Sequence, residues 1–208
     1  SAERQPAPEP TLELAVRTSL PPNSTLDLAG WQVAYTIFSA AAFALDALAI
    51  AAQALIGKSL GEQDHARVRK VLQRTSAWGL WFGILVGAGV AAASGVIGIL
   101  FTGDPELAAI VQPALLVLAV AQPLCGIVFV WDGVLIGAGD ARYLAIAGAL
   151  NLVPFLPALA LVAIFHPGGA AGLAWLAVAF FGVYMLARAA TLGWRLRGQT
   201  WLGSTLNI

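Results

Sequence analysis

Three ionisable side chains interrupt otherwise apolar stretches of this 208-residue chain: Asp46, Asp132 and Arg188. A charge surrounded by lipid is costly, so such residues face protein or a water-filled cavity. A carboxylate held there can exchange a proton or bind a cation. Asp46 precedes Gly57, a candidate helix end, by eleven residues. At ~1.5 Å per residue that is about 16 Å, near mid-membrane. Gln53 follows Asp46 at i+7 and shares its helix face. Asp132 is shallower, five residues before Gly137. For either carboxylate the alternative is a buried structural hydrogen bond to a neighbouring helix. Arg188 lies within two turns of a basic chain end, where its long stem would let the guanidinium reach the interface. Gln122 and Asn151 complete the candidates for ion coupling or substrate binding. Proline accompanies both, as Pro113 and Pro123 in one stretch and Pro154 and Pro157 in the next. Proline removes a backbone hydrogen bond and kinks a helix, and transporters place such breaks beside binding cavities.

Other chemistries find no support. Cys125 is the only cysteine, which excludes an intramolecular disulfide and a cysteine-cluster metal site. His65 and His166 lie about a hundred residues apart, with no ligand-type spacing around either. Residues 87–92 formally match a dinucleotide fingerprint, but they lie in an apolar span with no preceding strand. No nucleophile elbow, P-loop or metalloprotease motif is present. An enzyme is therefore not expected, nor a cofactor or a metal. Eleven basic and eleven acidic residues cancel, which gives no reason to expect a nucleic-acid partner.

The elements that must position these residues are membrane spans. Hydrophobic residues make up 59% of the chain and charged ones 11%, against roughly 25% charged in a soluble domain. Five segments reach the ~20 apolar residues that a bilayer core requires. They run approximately over 28–57, 76–100, 107–137, 143–165 and 170–194. Thr102-Gly103-Asp104-Pro105-Glu106 has the chemistry of a helix stop, an N-cap and a first-turn proline. His166-Pro167-Gly168-Gly169 is a tight helix-to-helix turn, and Gly137-Ala138-Gly139-Asp140 ends one helix and caps the next. Lys58, Arg67, Arg69, Lys70, Arg74, Arg142, Arg188, Arg195 and Arg197 all fall at one side of the bundle so drawn. The positive-inside rule makes that side, with the C-terminus, cytoplasmic. Residues 1–25 are Pro-rich and polar and are expected to be disordered, 26–198 to form the membrane unit, and 199–208 a short cytoplasmic tail. Residues 62–75 read as an amphipathic connector at the interface or as a solvated loop, with Asp64 able to cap a helix. Gly79, Gly83 and Gly87 form GxxxGxxxG, a motif for close helix packing.

Two strings carry a resemblance. Ala44 to Gly61 (ALDALAIAAQALIGKSLG), followed by Asp64, resembles the eighth transmembrane helix of the multidrug and toxic compound extrusion (MATE) family. Gln122-Pro123 and then Phe129 to Arg142 (FVWDGVLIGAGDAR) resemble that family's tenth helix in its DinF-like branch. The likeness runs from Leu28 to about Arg197. It implies an all-α polytopic transmembrane helix bundle, with about five spans that correspond to helices eight to twelve of a twelve-helix, two-lobed fold. It further implies a plasma-membrane antiporter that exports cationic or amphipathic compounds in exchange for protons or sodium ions. Asp46, Gln53 and Asp132 match acidic and amide positions of this branch. The aspartate used by sodium-coupled members would fall near Cys125, which favours protons. The chain would then be a fragment, the C-terminal lobe, whose partners are the lipid bilayer and a missing N-terminal lobe. The competing function is an inert membrane scaffold or assembly subunit held by its glycine-lined faces.

Overall fold

Helix α1 (Pro22–Gly61) opens the computed structural model, which describes residues 22–103, 105–165 and 168–202. It is followed by α2 (His65–Thr102), α3 (Pro105–Gly137) and α4 (Ala141–Phe165). Then come α5 (Gly169–Ala177), a π-helical stretch (Val178–Tyr184) and α6 (Met185–Arg197), which together form one continuous rod. Among the described residues, five rods are long and apolar enough to cross a membrane, as the composition leads one to expect. The expected disorder of residues 1–21, the cap Asp104 and the pair His166-Pro167 lie outside the described residues. Residues 22–25, expected to be unstructured, instead form the first turn of α1.

Two other boundaries differ from expectation for physical reasons. Residues 65–75 are neither a separate interfacial connector nor a loop; they are the first three turns of α2 itself. The Asp64 carboxylate accepts a hydrogen bond from Arg67 N at 2.9 Å, satisfying one of the free N–H groups at that helix start. No proline interrupts it and its glycines keep helical backbone, so it runs for 38 residues, about 57 Å at ~1.5 Å per residue. The tail beyond Gly198 also begins as structure, since Trp201 folds back and is buried. Its indole N–H lies 3.0 Å from the carbonyl of Gly198 and 3.3 Å from that of Leu196.

The turns use left-handed glycine where the chain must reverse. Gly103 (φ 63°) ends α2, and its N–H donates to Ile99 O at 2.8 Å. Gly139 (φ 74°) reverses the chain between α3 and α4. Helix α3 is the central rod, packed on α1, α2 and both halves of the last rod. Glycine sets how closely it is approached. A side chain at Gly79, Gly83 or Gly87 of α2 would collide with the backbone carbonyls of Gly126, Gln122 and Ala119 of α3. The GxxxGxxxG motif is thus a packing seam. Pro123 lies at this crossing; lacking an N–H, it leaves the Ala119 carbonyl without its helical partner, just where Gly87 lets α2 close in. Helix α4 is peripheral, with only Ala147 and Asn151 buried.

Candidate functional site

A second glycine-mediated crossing, between α1 and α3, builds the site. Gly133 and Gly137 press against the backbone carbonyls of Ala49 and Gln53, so a Cβ at either would push the two helices apart. This contact brings Asp132, next to Gly133, beside the face of α1 that carries Asp46 and Gln53. Helix α6 supplies Arg188 and α4 supplies Leu144, closing a cavity of about 460 Å³. Asp46, Gln53 and Asp132, three of the five candidates, therefore share one chamber with Arg188.

Arg188 does not reach for the interface as its position suggested. Its Nη2 donates to Asp132 Oδ1 at 2.5 Å and its Nε to Oδ2 at 3.3 Å, a two-point clamp. A guanidinium inside a span gains more from a carboxylate in reach than from stretching to water, because the carboxylate is equally in need of a counter-charge. The pair leaves Asp46 as the cavity's third charge, without hydrogen-bond or ion-pair partner among the described residues. Formally the chamber holds one negative charge.

The other two candidates lie elsewhere. Asn151 is buried behind α6, where the Thr191 hydroxyl is 3.2 Å from its Oδ1 and 2.9 Å from the Arg188 carbonyl. The Tyr143 hydroxyl donates to Thr191 O at 2.6 Å, so this polar seam fixes α6 one turn from Arg188. Gln122 is buried on the α2 side of α3, with neither amide atom partnered among the described residues. Pro113 and Pro123 lie inside an unbroken α3, and Pro154 and Pro157 inside an unbroken α4. None of the four lines the chamber.

Two features frame the cavity. Toward the arginine-rich end, Arg195 clamps Asp140 with contacts of 2.6 and 3.2 Å and lies 4.8 Å over the Tyr143 ring, locking the α3–α4 turn to α6. Away from that end, aromatic rings accumulate: Trp31, Tyr35 and Phe38 of α1, Phe155 of α4, and Phe180, Phe181 and Tyr184 of the π-helical stretch. Neighbouring centroids lie 4.9–6.5 Å apart in edge-on, tilted and stacked contacts. Tyr184 is one turn before Arg188, and the π-helical stretch offsets the register of everything after it. Sequence reasoning missed Gly133, Gly137 and the pairing of Arg188. The available signal was that one cation and two carboxylates within apolar spans demand a partnership.

The family model described as MatE matches residues 14–161, more than two thirds of the chain and including every lining residue of the chamber except Arg188. The chain belongs to the MatE family. Protein DETOXIFICATION 45, chloroplastic, of Arabidopsis thaliana is 30% identical over 187 residues, 86% of this chain and 31% of that protein. Protein DETOXIFICATION 42 and Protein DETOXIFICATION 44, chloroplastic, of the same plant are each 30% identical, over 81% and 86% of this chain. This MatE chain spans about a third of the length of those curated relatives. No solved structure matches it.

Proposed function

We propose that this chain is one lobe of a secondary antiporter of the MatE family, in which Asp46 trades a proton for a cationic or amphipathic substrate. The single observation that carries this is the charge imbalance of the chamber. Asp132 and Arg188 neutralise each other at 2.5 Å, while Asp46 lines the same cavity with no ion-pair partner among the described residues. A scaffold gains nothing from an unpaired carboxylate at that depth; an exchanger requires one. The chamber's 460 Å³ lies within the ~300–1,000 Å³ of small-molecule sites. The aromatic array beside it offers ring faces to the apolar part of an amphipathic cation.

Antiport follows from competition at one group. A bound cation favours the Asp46 carboxylate and expels its proton; protonation removes the charge that held the cation. Linkage requires each ligand to weaken the other's binding by the same factor. Alternating access in transporters built from repeats is rocking of one bundle against another, so a second lobe would close the chamber's open side. The motif from Phe129 to Arg142 favours the DinF-like branch, and the lack of an aspartate near Cys125, where the resemblance places the one used by sodium-coupled members, favours protons as the coupling ion. The basic ends and the C-terminus are assigned to the cytoplasm, and the plasma membrane is the proposed site.

The test is dye efflux driven by a pH gradient, in proteoliposomes holding the chain completed by a first lobe and normalised to protein. Asp46→Asn should keep folding and abolish transport. Full normalised transport by that variant would remove Asp46 from the mechanism.

A further inference from the structure

A groove of about 770 Å³, separate from the chamber around Asp46, lies between α2 and α6 near the arginine-rich end, floored by Trp131 of α3. We propose that this groove binds one anionic phospholipid, with its headgroup phosphate between Arg69 and Arg197 and its acyl chains over Leu72, Ala189 and Leu196.

Three independent features converge on that ligand. The first is charge. Arg197 lines the groove, and Arg69 is one turn before Gln73 and two before Ser76, so it stands at the mouth on the same face of α2. Neither has an ion-pair partner among the described residues, whereas Arg67, Arg188 and Arg195 are all paired with carboxylates. One guanidinium lining the groove and a second one turn beyond its lining residues on the neighbouring helix, neither ion-paired among the described residues, call for an anion with several acceptor oxygens.

The second is depth. Trp78 and Trp81 of α2 are each 68% exposed, and Trp194 of α6 is 77% exposed. Exposed tryptophans collect at the headgroup level of a bilayer, and these three sit one to three turns from the arginines. The groove thus begins where phosphates are and descends to where acyl chains are. The third is shape. Gly193 keeps the groove open, because a Cβ there would come 3.1 Å from the Trp131 ring. The Trp131 indole N–H donates to Ser76 Oγ at 3.0 Å, so the floor's polar group is already satisfied and the remaining wall is largely apolar. A soluble phosphate compound would use only the mouth. A further transmembrane helix would leave the two cations uncompensated.

Native mass spectrometry of the purified chain in neutral detergent, after addition of phosphatidylglycerol or phosphatidylcholine, tests the assignment. One phosphatidylglycerol should be retained per chain, with a preference over phosphatidylcholine of roughly twenty-fivefold, about fivefold for each arginine. The double variant Arg69→Gln/Arg197→Gln should lose the preference while its circular dichroism is unchanged, both positions being outside the packed core. Gly193→Leu, which fills the groove and leaves both arginines, should lose retention of either lipid. Glycerol phosphate should not displace the lipid. Equal retention of the two lipids would overturn the proposal, as would an unchanged preference in the double variant. Displacement by glycerol phosphate, or a groove closed by a second copy of the chain in a lipid-free dimer, would do the same.

Discussion

Removing Arg188 should damage the fold more than removing the carboxylate it holds. The Arg188 and Asp132 side chains retain only 15% and 27% of their exposure, so this is a largely buried pair. Breaking such a pair by deleting one partner costs about 3–5 kcal/mol when the surviving charge is stranded. The two deletions strand different things. Asp132→Asn leaves Arg188 facing Asp46, which lines the same cavity and can replace the lost partner. Arg188→Gln leaves two carboxylates in one chamber with no cation. We therefore expect a loss of about 3 kcal/mol for Arg188→Gln and about 1 kcal/mol for Asp132→Asn. That gap of about 2 kcal/mol is close to thirtyfold in the unfolding equilibrium. Adding Asp46→Asn to Arg188→Gln should recover most of the difference. Reversible unfolding in mixed detergent micelles, followed by far-ultraviolet circular dichroism, measures all four proteins. Equal losses for the two single variants, or no recovery in the double variant, would refute the placement of Asp46 within electrostatic reach of Arg188.

Further consequences concern packing and topology. Gly83→Ala would drive a Cβ into the Gln122 carbonyl and to 2.8 Å from Pro123 Cα, and should destabilise the protein by about 1–3 kcal/mol in the same unfolding assay. Gly89→Ala, on the same helix with nothing within 4 Å, should be neutral or stabilise by up to about 1 kcal/mol. A single cysteine placed at position 104 should react with an impermeant reagent from the opposite side of the membrane to one at position 199, in a background without Cys125. Same-side labelling would overturn the assigned orientation.

The five spans were legible because lipid imposes a minimum apolar length, and the glycine seam because only a missing side chain lets two helices touch. The stop at Gly103 followed from its left-handed conformation, which glycine adopts without strain. The face shared by Asp46 and Gln53 followed from helical periodicity, which relates residues within one rod. Arg188 and Asp132 are 56 positions apart on different rods, and periodicity says nothing of such pairs. The π-helical stretch at Val178–Tyr184 carries no local marker, since its residues would suit an α-helix equally well. Gln122 and Asn151 were chosen for polarity at membrane depth, which identifies a costly residue without saying which helix it will face. The continuation of α2 through residues 65–75 was obscured by its charge: a helix leaving the membrane exchanges apolar for basic residues without a break in its backbone.

The central claim is that Asp46 is the group that exchanges a proton for substrate. Its most direct measurement is the number of protons released when a cationic dye binds to the completed transporter, in weakly buffered detergent solution with a pH indicator. The wild-type chain should release about one proton per dye bound under conditions that begin with Asp46 protonated, as linkage between competing ligands requires. Asp46→Asn should release none. Proton release from Asp46→Asn equal to that of the wild type would contradict the account.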